Sequence, residues 1–354
     1  MRIGIAFDLK QDFTVPEGRD DLLEEYDSVE TVEAIAEQIE RLGHEAVLLH
    51  GGRKFVENLL RLKVDLVFNI AEGVGGRSRE AQVPAVCEML GVPYTHSDAM
   101  TLSICLDKHM TLKLAQSSGI PTPLHYLIEN PSDVENREFP LPAVLKPVHE
   151  GSSMGITRRS LVKSRESLYE EAKRLFDLYH QPVIVEEFLP GKELTVGILG
   201  NSPPRIIGVM EIAPRSGNYE DFLYSIETKR DYRRLVRYGC PPTGLSEETI
   251  AMAGKIALMA YSLFGCLDVA RIDIRLDGKG VPKFLEINPL PGLSPVYSDL
   301  CIMASLVNLS YGNLIESIVV SALKRWGIAN DKDKKRKKKR HTPYSSPRPE
   351  FERL

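Results

Sequence analysis

The stretch Arg271–Ser294 reads RIDIRLDGKGVPKFLEINPLPGLS. Two alternating runs flank a polar, glycine-rich turn, Asp277-Gly278-Lys279-Gly280. In the first run Ile272, Ile274 and Leu276 share one face, and Arg271, Asp273 and Arg275 share the other. Lys283 to Asn288 alternates too, with Phe284 opposite Leu285 and Ile287 opposite Glu286 and Asn288. Alternation around a DG turn predicts a hairpin. In register, Asp273 falls near Glu286 and Asn288 on one face of adjacent strands. Three oxygen ligands beside an arginine suit a hard cation, and magnesium leaves room for phosphate oxygens and water. A hairpin with a solvated polar face is the commoner meaning of alternating charge. Against it, the acids sit inside an apolar run that ends in Asn288-Pro289-Leu290-Pro291-Gly292, and no lysine pairs with them in register.

Working outward, the chain has 354 residues, 43% hydrophobic and 27% charged, enough for two or three packed domains. No apolar run reaches the length of a membrane span, and MRIGIAF followed by charge does not resemble a signal peptide. Five scattered cysteines without a CxxC pair read as reduced, mostly buried thiols of a cytoplasmic protein. The net charge is −4, but residues 331–354 carry ten Lys/Arg and four Asp/Glu, which leaves the body at −10. An acidic body argues against a nucleic-acid binder. The basic run Lys334 to Arg340 and the Pro- and Ser-rich end predict a disordered tail over 329–354. That tail could touch nucleic acid or anionic lipid, or simply keep the chain soluble.

At the other end, Arg2 to Phe7 reads as a buried strand. Asp27 and Glu30 suggest a capping box for a helix that runs to Gly43. Ala46–Leu49 and Leu66–Asn69 are further strands, so the repetition implies a parallel sheet with covering helices. No GxGxxG follows the first strand, which argues against a dinucleotide site there. Glu72 to Glu80, EGVGGRSRE, is expected to be a substrate-facing loop, with a plain surface loop as the alternative. Ser97 to Ala115 predicts one helix. After the strand Ala143–Lys146 comes PVHEGSSMG, whose small residues and serine hydroxyls can approach an anion. Glycine-serine loops alone are weak evidence, and no Gly-Lys-Ser/Thr follows to make a Walker A motif. Val183–Val185 leads into EEFLPGKE. Leu194–Leu199 and Arg205–Glu211 read as strands, Asn218–Tyr238 as a mobile lid and Glu247–Phe264 as a helix.

In this order LDKHMTLKLAQSSGIPTP, VLKPVHEGSSMG, VEEFLPGKELTV, ETK, ARIDIRLD and FLEINPLPGLS resemble the D-alanine–D-alanine ligase family of ATP-grasp enzymes, over roughly residues 1 to 328. The resemblance implies an α/β chain: an N-terminal parallel α/β domain (1–105), then a two-lobed ATP-grasp α+β domain (106–190 and 191–328). It implies a cell-wall (peptidoglycan) ligase that uses ATP with Mg2+ or Mn2+, two ions, and small amino-acid or peptide substrates, and that forms a homodimer. By position, Lys108 and Lys146 resemble lysines that hold ATP phosphates. Glu150 to Gly155 resembles the loop over the β- and γ-phosphates, with Ser152 and Ser153 as donors and Ser153 also expected in catalysis. Glu186, Glu187 and Leu189 match the adenine-gripping linker and Glu193 the ribose ligand. Lys229 looks like the lid lysine on the γ-phosphate. Asp273, Glu286 and Asn288 match the metal ligands, and Arg271 and the Gly292 amide the groups that stabilise the reacting carboxylate.

The departures from the family pattern gather in the amino-acid sites and the lid. Phe7 to Ser28 replaces the usual N-terminal glycines and Glu-Val-Ser, with Asp27 or Glu30 as stand-ins for that glutamate. Ala71 to Gln82 carries two arginines, and Tyr224 is displaced relative to Lys229. Pro295 to Asp299 is rebuilt. Arg77, Arg79, Tyr297 and Ser298 are therefore the expected substrate residues, with an arginine fork reading an acidic group. The resemblance most simply implies ligation of two D-alanines. The alternatives are another amino acid or peptide, and a non-catalytic nucleotide-binding scaffold with a basic docking tail. Retention of Arg271, Asp273, Glu286 and Asn288 argues against the scaffold.

Overall fold

A computed structural model describes residues 1–15, 19–135 and 137–328. The basic run and the tail expected to be disordered lie outside them. The first layer contains β1 (Arg2–Ala6), α1 (Val29–Arg41), β2 (Glu45–Leu48), α2 (Gly52–Leu62), β3 (Leu66–Asn69) and α3 (Gln82–Leu90). Its strands pair in parallel in the order β2-β1-β3, as the strand–helix repetition predicts. The helix cap differs from expectation. Ser28, not Asp27, caps α1 by accepting from the Thr31 N–H. Asp27 instead extends the β1 edge: its N–H donates to Asp8 O and its carbonyl accepts from Lys10 N–H.

Next come α4 (Ala99–Leu106) and α5 (Lys108–Ser117). The single helix expected over Ser97–Ala115 is broken at Asp107, whose extended backbone frees its carboxylate to cap α5 at Met110 N–H (2.9 Å). The small lobe follows: β4 (His125–Ile128), β5 (Ala143–Pro147), β6 (Leu161–Val162), α6 (Arg165–Tyr179) and β7 (Val183–Glu187), with sheet order β4-β7-β5-β6. The large lobe has β8 (Glu193–Leu199), β9 (Arg205–Pro214), α7 (Ile226–Arg230), α8 (Tyr232–Leu235), β10 (Val236–Gly239), α9 (Glu247–Leu263), β11 (Val269–Leu276) and β12 (Pro282–Asn288). Its antiparallel order is β10-β9-β8-β11-β12. Two helices, α10 (Asp299–Leu306) and α11 (Tyr311–Arg325), complete the described chain.

Packing crosses the expected domain limits. Leu112 and Ala115 of α5 join the large-lobe core with Ile272, Ile274 and Phe284. Leu314, Ile315 and Ile318 of α11 pack on Ile3, Ile5 and Ile35 of the first layer. The last described helix thus closes the first sheet. All five cysteines are free thiols, and four of them are buried. Among the described residues no single helix is long and apolar enough to cross a membrane.

Candidate active site

The hairpin forms as read, with one refinement. Asp273 pairs with Glu286 and Arg271 with Asn288, but the register shifts between Asp273 and Ile274. Strict alternation would put Phe284 and Glu286 on the same face. A bulge at Leu285 resolves this. Phe284 drops fully into the core, while Leu285 and Glu286 both line a cavity. The bulge is what points the acid at the site.

Around it lie two joined chambers that share Lys108, Ser152, Lys229, Arg271 and Glu286. The larger, of 260 Å³, lies between the first layer and the large lobe. Arg271 is the hub, with Asp273 at 2.8 Å, Asp299 at 3.7 Å and Glu286 at 3.9 Å. Lys108 at the start of α5 donates to Glu150 O and lies 3.7 Å from Glu286. Burial pushes Glu286 up, but Lys108, Lys146 and Arg271 together hold it down at about 2. Burial raises Asp273 against the pull of Arg271, and the Glu286 charge adds to the rise. Two facing carboxylates and the Asn288 amide, whose nitrogen lies 3.3 Å from Asp273, form an all-oxygen donor set that fits a hard cation. No group of three or more His, Cys, Asp or Glu side chains forms a metal cluster among the described residues. Phosphate oxygens and water would have to complete the shell.

The second chamber collects the residues expected around the nucleotide. Lys146 binds Glu186 at 2.7 Å, and Glu187 and Leu189 line the wall beside it. Glu193, pushed by burial to about 7, is tied to Arg275 at 3.0 Å. Arg275 was read only as a strand-face residue. Its guanidinium also donates to the carbonyls of Leu189 and Phe222, so it fastens the linker to the base of the lid. Ser153 Oγ donates to Tyr224 O (3.0 Å). Tyr224 OH donates to Asp299 (3.1 Å), which places the displaced lid tyrosine beside Arg271's partner. Burial lowers the Lys229 ammonium.

Several expectations need correction. Gly155 lines neither chamber: its N–H donates to Asp21 (2.8 Å), and its φ of +76° and the nearby Pro147 ring leave no room for a side chain. Glu150 does line the second chamber, where it also accepts from Gln181 (2.7 Å) and faces Arg79 at 3.7 Å. Arg77 and Arg79 line neither joined chamber. Arg79 is buried on Glu25 (2.6 Å) and the His149 carbonyl, and Arg77 is exposed beside Asp107 (3.3 Å). An arginine fork for an acidic substrate is therefore absent from this wall. Tyr297 and Ser298 do line the larger chamber, where Ser298 Oγ accepts from Ser294 N–H (2.9 Å), and Gly292 lies beside it.

Residues 19–27 carry the contributions that sequence reading missed. Glu25 accepts from Gly151 N–H (2.5 Å), and Asp20 and Glu24 grip Arg230 of the lid at 2.8 and 2.7 Å. This strap joins the first layer to the phosphate loop and the lid. Its acids lie in a segment with no helical or strand periodicity, so no pattern signals them.

A lysine- and arginine-lined cleft between the two lobes, with a paired-acid hairpin at its floor, suits the class of enzymes that handle a phosphate-bearing substrate. Comparison with known proteins narrows the class. Residues 114–320 match the family model for the D-ala D-ala ligase C-terminus. The chain is 34% identical to the D-alanine–D-alanine ligase of Aquifex aeolicus over 294 residues, covering 82% of this chain and 94% of that one. It is 32% identical over 304 residues to the uncharacterized protein y4sG of Sinorhizobium fredii, covering 83% and 88%. In fold it matches the Bacillus anthracis D-alanine–D-alanine ligase solved with ATP (TM-score 0.69, 20% identity, 92% and 98% covered). It also matches the Enterococcus faecalis VanG D-Ala:D-Ser ligase (TM-score 0.68, 21% identity, 91% and 99% covered). The chain belongs to the D-alanine–D-alanine ligase family, and it is an ATP-using enzyme that forms a peptide-like C–N bond.

Proposed function

We propose that the chain joins the carboxylate of one amino acid to the amine of a second, with ATP converted to ADP and phosphate. The observation that supports this best is the Arg271–Asp273–Glu286 cluster, of which Arg271 and Glu286 line both chambers and Asp273 the second. A carboxylate is a poor electrophile. One of its oxygens attacks the γ-phosphorus, the bond to the β-phosphate oxygen breaks, and ADP leaves. The amine nitrogen then attacks the acyl carbon of the acyl phosphate, inorganic phosphate departs, and the amine loses a proton. Asp273, Glu286 and Asn288 would hold Mg2+, which neutralises phosphate charge when bound. Lys108, Lys146 and Lys229 supply positive charge to the transferring phosphoryl oxygens. Arg271 and the Gly292 amide steady the acyl oxygens as charge builds on them. Ser152 and Ser153 orient the phosphates, and Glu186, Glu187, Leu189 and Glu193 hold the nucleoside. The strap and lid exclude water from the acyl phosphate.

Labelling the substrate carboxylate with 18O tests the intermediate. One labelled oxygen should appear in the phosphate released, and phosphate free of label would refute this route. D-alanine, named for several relatives, is the first substrate to try.

A further inference from the structure

The larger chamber is charged unevenly. Seven carboxylates line it: Glu24, Glu25, Asp27, Glu72, Glu80, Glu286 and Asp299. Four have a cation within 4 Å, supplied by Arg230, Arg79, Lys108 and Arg271 respectively to Glu24, Glu25, Glu286 and Asp299. The other three, Asp27, Glu72 and Glu80, all come from the first layer. None makes a side-chain hydrogen bond or ion pair among the described residues. Glu80 is only 9% exposed, yet its carboxylate faces the cavity without a partner. Glu72 feels the charges of Glu80, Glu25 and Asp27. Arg79 lowers Glu72 and Glu80, and Lys108 lowers Glu80, but only from beyond ion-pair range, because Glu25 and the His149 carbonyl hold Arg79 and the Glu150 carbonyl holds Lys108. Lys10 acts on Asp27 from beyond ion-pair range. Burying unpaired carboxylates is costly unless a ligand supplies the missing charge.

Resting on the ligase reading above, we infer that this wall of Asp27, Glu72 and Glu80 selects an amino acid with a second cationic group, such as ornithine or lysine. Lys10 answers at most Asp27. One α-ammonium answers one of the remaining two acids, and a side-chain ammonium answers the other. The selected molecule is the one whose carboxylate is activated. An attacking amine must shed its proton, and a carboxylate wall stabilises the protonated form. The ammonium groups held there are therefore spectators, and the carboxyl end of the same molecule reaches Arg271 and Gly292.

The test uses full-length protein with Mg-ATP. ADP release is measured with ornithine, lysine, norleucine and alanine, both enantiomers of each, and each amino acid is also titrated in a thermal-shift assay. The expected result is a KM for the dibasic substrate at least about tenfold below that for norleucine, with a larger melting-temperature shift at equal concentration. Glu80→Gln and Glu72→Gln should each raise the dibasic KM several-fold and narrow the preference. Equal KM and equal shifts for ornithine and norleucine would overturn the inference and leave the ligase reading standing. No ADP release with any amino acid would overturn the ligase reading, and this inference with it.

Discussion

Glu286 owes its ionised state to Lys108, Lys146 and Arg271, which outweigh its burial. Glu286→Gln keeps the shape and removes that charge. It should lower kcat by roughly 10²–10³-fold, with an unchanged circular dichroism spectrum. Wild-type turnover in a coupled ADP assay would exclude it from the reaction. Asp27 and Glu80 behave in the opposite way. Burial raises both to about 7, from ordinary values of 3.8 and 4.5. A carboxyl whose folded pKa exceeds its unfolded one favours folding fully below the unfolded value, and that contribution is lost as pH rises through the folded value. Between pH 4.5 and 7.5 these two groups should therefore pull the ligand-free melting temperature down. Glu80→Gln should flatten that fall, so melting curves for both proteins across this window form the test. Parallel curves would show that Glu80 is not strained by its charge.

At the scale of elements, the hairpin was legible because period-two alternation and a DG turn are local signals. The bulge at Leu285 was not, since it arises from packing Phe284 against Ile272 and Ile274. The parallel first sheet was also readable from its strand–helix repetition. The strap at 19–27 was not, because its function depends on contacts to Gly151, Gly155 and Arg230, more than a hundred residues away. For the same reason Arg79 was expected to meet substrate, although it meets Glu25. Gly155 shows how tightly the strap and phosphate loop fit. A Cβ there would lie 2.6 Å from Pro147 Cγ, on a backbone already at φ +76°. Gly155→Ala should cost at least about 2 kcal/mol, measurable by urea denaturation. An unchanged midpoint would mean that the loop relaxes freely.

Across the whole molecule, the site exists because three sheets meet: the first layer supplies the acidic wall, the small lobe the linker, and the large lobe the hairpin. Helix α11 fixes the first layer to the rest through Ile315 and Ile318, both fully buried. Ile318→Ala should cost about 2–5 kcal/mol in denaturant titrations. A loss under 1 kcal/mol would show that this contact is slack. The family resemblance was readable from ordered motifs, while the amino-acid pocket was not, because its walls come from segments distant in sequence. The central claim is that one cleft couples ATP breakdown to amide formation. It is tested most directly by incubating the purified protein with Mg-ATP and a panel of amino acids, and measuring ADP and new amide product in the same tube. The account predicts equal amounts of ADP and amide, only when an amino acid is present, with both lost in Glu286→Gln. ADP formed without amide, or at the same rate without any amino acid, would contradict it.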